Sequence, residues 1–370
     1  MKMPYPGAID CDLHVPAPSI AQLLPYLDDY WRDQIVNRAI DRMPFAMMSY
    51  PPNAPLSMRA DWRAQATADS LKTLCLQALD AFGIKLGIAN VMHGCVALHN
   101  DDMAAALCRA VNDWLRTEWL DREPRLRGSI LVPPQDPVQA VAEIERLAPN
   151  PRFVQVLLLA MGERLLGRRE FFPVYAAAER HGLVIGVHAG STYRYAPTIV
   201  GWPSYQFEDY VAQAQAFENQ TVSLIAEGVF QRFPRLKVVM MESGVSWLPV
   251  TMWRTDKTWR GARQETPWVD RWPSEIIREH IRLTIQPFDA PDATAVAQCA
   301  DRIGCDDMLL FATDYPHWQF DGDDVLPDGF PPPVLDKILT GNALATYPRL
   351  AQSVASPAKT AAEATAEEDV

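Results

Sequence analysis

Asp12 and His14 stand two residues apart within Ile9–Val15, a short, mostly apolar run. Residues i and i+2 of an extended strand share a face, so this carboxylate and this imidazole can converge on one ion. His188 directly follows a second apolar run, Gly182–Val187, and Asp314 follows a third, Met308–Thr313. Imidazole nitrogens and carboxylate oxygens make a mixed donor set suited to one divalent metal, Zn²⁺ first and Mn²⁺ as the alternative. Taken singly, each residue has an ordinary explanation: a hydrogen-bonded loop histidine, or an aspartate capping the next helix. Their shared position, each on or just after an apolar run, is what points to a common site.

Such a site needs a scaffold that gathers separate strand ends. Strands are predicted at Ile9–Val15, Ile84–Val91, Gly128–Val132, Phe153–Leu159, Gly182–Val187, Leu236–Met241, Ile281–Ile285 and Met308–Thr313. Helices are predicted near Asp102–Asp121 and at Pro137–Leu147, Arg168–His181, Phe207–Phe233, Pro273–Glu279 and Asp292–Ile303. Apolar runs of this length suit strands buried on both faces, and their alternation with helices predicts an α/β protein with a parallel sheet. A (β/α)₈ TIM barrel is preferred to an open sheet, because no G-x-G-x-x-G turn follows the first strand. In a barrel the C-terminal ends of the strands carry the functional side chains, which is where these acids and histidines fall. The barrel is expected to span residues 1–350. Residues 16–63 are too long and too rich in Pro, Met and aromatics for a βα loop, and are expected to form an insertion after strand 1, over the barrel mouth. Residues 351–370, low in complexity and without aromatics, are expected to be a disordered tail.

The 370 residues carry 34 Lys+Arg against 46 Asp+Glu, a net charge of −12, which argues against nucleic acid or an anionic membrane as partner. The partner is therefore expected to be a small-molecule substrate, with a homodimer possible. Six cysteines lie scattered without a C-x-x-C pair and are expected to be reduced and buried. No leader-like segment or long apolar stretch is apparent, so a cytoplasmic location is expected.

Four segments occur in an informative order: Asp10-Cys11-Asp12-Leu13-His14, His188-Ala189-Gly190, Phe233-Pro234-Arg235-Leu236-Lys237 before a strand closed by Glu242, and Thr313-Asp314-Tyr315-Pro316-His317. Together they resemble the amidohydrolase-related family, in the branch that also holds aminocarboxymuconate-semialdehyde and resorcylate-type decarboxylases. The likeness runs from about residue 9 to about 350 and takes in Asn112-Asp113-Trp114 and Asn342-Ala343. It implies a (β/α)₈ barrel with a divalent metal and substrate at the strand C-termini. It places Asp12 and His14 at the first two ligand positions, His188 at the histidine ending the fifth strand, and Asp314 at the aspartate ending the eighth. Two departures follow. The fourth strand, Arg152-Phe153-Val154-Gln155-Val156, lacks a lysine that could bridge two metals, which implies a mononuclear site. The sixth ends in Glu242, where the resembling decarboxylases have a histidine, and this weighs against decarboxylation.

The expected activity is therefore metal-dependent hydrolysis of an amide, ester or lactone of an aromatic or apolar substrate. Asp314 would act as ligand and proton acceptor, Glu242 as a second acid/base, and His317 as an oxyanion donor. The first alternative is non-oxidative decarboxylation of an aromatic or unsaturated acid. The second is a metal-free lactonase-type or binding barrel, because Asp12 is a weaker first ligand than histidine. His93, Trp247, Arg254 and Trp318 are candidate substrate contacts, with Trp202, Tyr205 and Trp253 as further candidate walls. Each tryptophan also has a reading as packing, and Glu242 as a cap of a helix beginning near Ser243.

Overall fold

The apolar runs become strands because each is covered on both faces, by the barrel interior and by a ring of helices. The computed structural model describes residues 5–43, 58–192, 195–196, 200–317 and 325–355. Its strands are β1 (Ile9–His14), β2 (Leu86–Asn90), β3 (Leu126–Leu131), β4 (Phe153–Met161), β5 (Val184–Ser191), β6 (Val238–Met241), β7 (Ile281–Thr284) and β8 (Leu309–Leu310). They pair in parallel in sequence order, β1 through β8. The chain after β8 returns to β1, where Cys11 N donates to Phe311 O at 2.9 Å and His14 N to Tyr315 O at 2.8 Å. The sheet thus closes as a (β/α)₈ barrel, with all nine residues of β4 buried.

Several boundaries differ from expectation, each for a local reason. β8 spans two residues rather than the six of Met308–Thr313, because the chain beyond Leu310 bonds irregularly. Phe311 N donates to Ile338 O, and Thr313 bonds to the Asp10 side chain. His188 lies inside β5 rather than after it. The helix predicted at Phe207–Phe233 is two, Gln206–Ala226 and Val229–Arg232, separated by Gly228 at φ 75°. A Cβ at Gly228 would also come 2.5 Å from Trp268 Cδ1, so only glycine fits this break. The region expected to be a tail begins with helix, since Pro348–Ala355 carries on past a fully buried Leu350. Residues 356–370 lie outside the described residues.

In the segment after β1, helices Ile20–Leu23, Asp29–Asn37 and Ala60–Ala64 are described, whereas residues 44–57 are not. Tyr26 Oη lies 2.7 Å from Thr117 Oγ1 and 3.0 Å from Glu118 Oε1, fastening this segment to the outer helical layer. Trp62 packs against Tyr315, the residue after Asp314, with ring centroids 4.9 Å apart. All six cysteines are free; Cys11, Cys95 and Cys108 are buried, and Cys75, Cys299 and Cys305 partly so. No helix among the described residues is long and apolar enough to cross a membrane.

Candidate active site

Barrel closure brings the C-terminal ends of β1, β5 and β8 to one point. Asp12, His14, His188 and Asp314 are all buried there, with one donor atom from each within 4.8 Å of the others. His14 Nε2 lies 3.1 Å from Asp314 Oδ1 and 3.6 Å from Asp12 Oδ1. His188 Nε2 lies 3.1 Å from His14 Nε2 and 3.4 Å from Asp12 Oδ2. The end of β6 and the turn after Asp314 complete the group. Glu242 Oε2 is 3.5 Å from His188 Nε2, and His317 Nδ1 is 2.7 Å from Asp314 Oδ1 and 3.8 Å from Glu242 Oε1.

Both acids that close their strands have left-handed backbones, Glu242 at φ 57° and Asp314 at φ 54°. Non-glycine residues adopt this region at a cost, and such positions cluster where a side chain must be aimed. Glu242 is aimed further by Tyr210, whose hydroxyl donates to Oε1 at 2.6 Å, and by its own N–H, which donates to Thr284 Oγ1 at 3.0 Å. It caps no helix: the next one begins at Trp247, and Asp289 accepts from Val245 N and Ser246 N ahead of it.

The donor set fits a divalent cation on two grounds. Oδ2 of Asp12 and Oδ2 of Asp314 are buried without a hydrogen-bond partner, a costly state for a carboxylate unless a cation meets it. His188 directs Nδ1 at its neighbour's carbonyl, Ala189 O, 2.6 Å away, so the proton on Nδ1 leaves the Nε2 lone pair facing the cluster. Without a cation the group must hold protons instead. Burial disfavours charge on His188, but Asp12 and Glu242 outweigh it and hold its pKa at about 10. Burial likewise opposes charge on His317, and Asp314 and Glu242 hold its pKa at about 9. Burial, then repulsion by Asp314, raises Glu242 to about 7, and burial raises Asp314 as well. Burial and the neighbouring His317 push His14 well down. A dication would take over this charge balance and release protons.

An amidohydrolase family model matches residues 9–349. The chain belongs to the amidohydrolase family. Among its relatives, the gamma-resorcylate decarboxylase of Rhizobium sp. (strain MTP-10005) is 26% identical over 266 residues, covering 66% of this chain and 77% of the relative. An amidohydrolase structure from Mycobacterium avium subsp. paratuberculosis K-10 superposes with a TM-score of 0.71 at 21% identity, over 92% of this chain and 99% of the other. A dihydroxybenzoic acid decarboxylase from Polaromonas sp. JS666, with bound manganese and the inhibitor 2-nitroresorcinol, superposes with a TM-score of 0.62 at 20% identity, over 92% and 96%.

Within this amidohydrolase barrel the other sequence candidates fall elsewhere. His93 is buried, but its Nδ1 accepts from Cys95 N at 3.2 Å, capping the short turn Gly94–Ala97. Trp247 is a core residue whose Nε1 donates to Gly244 O at 3.0 Å and whose ring stacks with Phe217. Arg254 is exposed on the outer helix Trp247–Ala262 and lines a cleft that contains none of the clustered residues. Its position seven residues after Trp247 placed it on the right helix but not at the mouth. Trp202, Tyr205 and Trp253 are at least half exposed. Trp318 lies outside the described residues.

Three contributors were missed, two of them buried and the third, Tyr210, partly so. Asn90, the last residue of β2, donates to Asp12 Oδ1 at 2.7 Å. Asp10 accepts from Thr313 N and Thr313 Oγ1 and so ties β1 to the end of β8. Tyr210 supports Glu242. Asn90 carried the same signal as the others, a polar residue closing an apolar run. Tyr210 carried none, because its approach to Glu242 depends on how the helix Gln206–Ala226 lies against the barrel.

Proposed function

We propose that this protein is a metal-dependent carboxy-lyase that removes the carboxylate of a hydroxylated aromatic acid without an oxidant. The observation that carries this reading is the position of His317. The lack of a histidine at the end of β6 weighs against decarboxylation only if no other imidazole can stay cationic there. His317 brings one from the turn after β8, with its ring 4.1 Å from that of His14 and two carboxylates to hold its charge. The activities named for the Rhizobium and Polaromonas proteins support the same reaction class.

Asp12, His14, His188 and Asp314 would hold the cation. A divalent ion held there would supply positive charge to offset the negative charge of an acidic substrate. Both Zn²⁺ and Mn²⁺ accept such nitrogen and oxygen donors, and the manganese in the Polaromonas protein makes Mn²⁺ the first to test. Asp314 and His317 share a proton between Oδ1 and Nδ1 and can deliver it to the ring carbon bearing the carboxylate. The bond from that carbon to the carboxylate then breaks, its electron pair returns to the ring, and CO₂ leaves. Glu242, next to His317, can restore the proton.

A hydrolase of an amide, ester or lactone is the second reading, favoured by Glu242 as a strand-end proton acceptor. Mn²⁺-loaded protein should be given dihydroxybenzoates in one series and aryl esters, lactones and amides in another. Release of CO₂ from an aromatic acid is expected. Hydrolysis in the second series with no CO₂ in the first overturns the proposal.

A further inference from the structure

Barrels of this kind fill their interior with layers of branched apolar side chains. Here a connected polar group replaces part of that filling: Asn90 on β2, Ser129 on β3, Gln155 on β4 and Tyr347 after helix Asn342–Thr346, all buried. Asn90 Nδ2 and Gln155 Nε2 lie 3.7 and 3.5 Å from Sδ of Met241 on β6, a strand adjacent to neither, so the group sits inside the barrel. Packing around it is tight. A Cβ on Gly186 of β5 would lie 2.7 Å from Met241 Cε and 2.9 Å from the Gln155 amide.

The hydrogen bonds run one way. A carboxylate only accepts, so Asn90 must turn its Nδ2 to Asp12 Oδ1, at 2.7 Å. Asn90 Oδ1 is then left to accept, from Ser129 Oγ at 2.5 Å and Gln155 Nε2 at 3.1 Å. Gln155 Nε2 also donates to Ser129 Oγ at 2.7 Å, so its Oε1 faces the other way. Tyr347 donates its hydroxyl proton to that oxygen at 3.1 Å. With this donor in place neither amide can flip without leaving buried polar atoms unpaired. The result at the far end is that Asp12 Oδ1 accepts from Asn90, while Oδ2 faces His188 Nε2 at 3.4 Å and accepts no hydrogen bond.

We propose that Asn90, Gln155 and Tyr347 are positioning residues, a directed chain that sets which oxygen of Asp12 meets the cation and lets the segment around Tyr347 tune metal affinity. The inference rests on Asp12 as a ligand, as read above.

The test is Mn²⁺ affinity, measured by competition with a chelating dye on proteins whose folding is checked by circular dichroism. Asn90→Ala is expected to weaken binding about 10–100-fold, as loss of a ligand's hydrogen-bond partner does. Tyr347→Phe keeps the ring and removes one oxygen, and should weaken binding about two- to tenfold, the worth of one hydrogen bond. In the Asn90→Ala background, Tyr347→Phe should have no further effect, because its route to Asp12 is already cut. A folded Tyr347→Phe protein with unchanged Mn²⁺ affinity overturns the inference, as does an additive loss in the double variant. His188→Ala separates the two levels. If it loses Mn²⁺ while Tyr347→Phe does not, only this inference falls. If it binds Mn²⁺ normally, the ligand reading falls and takes the inference with it.

Discussion

Two of the regions that could take a ligand, an outer cleft and the strand-end cluster, differ in kind. The outer cleft between helices Gln206–Ala226 and Trp247–Ala262 has a volume of about 450 Å³ and is lined by Glu218, Thr251, Arg254 and Trp259 among others. The strand-end cluster is cramped, with polar atoms crowded at 2.7 to 3.8 Å. In the cleft the charged side chains Glu218, Arg254 and Glu265 are at least partly exposed, and Thr255 Oγ1 donates to Thr251 O within its own helix. In the cluster three carboxylates and three imidazoles share little solvent, and two carboxylate oxygens have no partner. Room to bind is therefore a poorer guide to chemistry than unsatisfied charge. Burial makes a cation or a proton necessary there, while the cleft requires neither.

Substitution at each region sharpens the contrast. The largest effects are expected at the proposed ligands. His14→Ala and His188→Ala should each lose most bound metal by elemental analysis and abolish turnover, with circular dichroism unchanged. Retention of full metal and rate in either would return the cluster to a merely structural role. Next comes His317→Gln, which leaves the proposed ligands in place. Its turnover should fall about 10²–10⁴-fold, the range of a lost general acid, with metal content preserved. Glu242→Gln keeps the shape and the Tyr210 contact but removes the charge, so a drop of about 10²-fold is expected, again with metal retained. If only thermal stability changed, Glu242 would leave the mechanism and Asp314 would stand as the strand-end acid.

Metal itself gives a smaller, thermodynamic effect. Mn²⁺ at about a hundred times its dissociation constant should stabilise stripped protein by about 2.7 kcal/mol in a melting experiment, and His188→Ala should abolish that gain. The smallest effect is expected in the cleft. Arg254→Ala should change turnover less than about twofold and stability within about 0.5 kcal/mol, as for exposed surface positions generally. A large loss of substrate affinity in that variant would reverse the comparison and make the cleft part of the site.

Much of the barrel was legible because burial on both faces demands continuous apolar runs, and these stand out at Gly182–Val187 and Leu236–Met241. Asp12 and His14 were legible for a related reason, since strand geometry alone puts them on one face. The ends of elements were not. β8 was overestimated because residues 311–313 are as apolar as a strand yet bond to Ile338 and Asp10 instead. Arg254 lies in the outer cleft and away from the strand ends, because helical periodicity says which residues share a face and nothing about what that face meets.

The sequence by itself determined which residues are able to act: the strand-end acids and histidines, the alternation of strand and helix, and the order of motifs that marks the amidohydrolase family. Only the tertiary structure decided which of them come together. His14 and His188 are 174 residues apart in the chain, and their Nε2 atoms come within 3.1 Å because eight strands close on themselves. The same closure brings His317 to the acid of β6 and threads a hydrogen-bond chain from Tyr347 to Asp12. Propensity and periodicity are local and sum over neighbours along the chain. A charge cluster instead depends on distances across the barrel, set jointly by every strand in the ring.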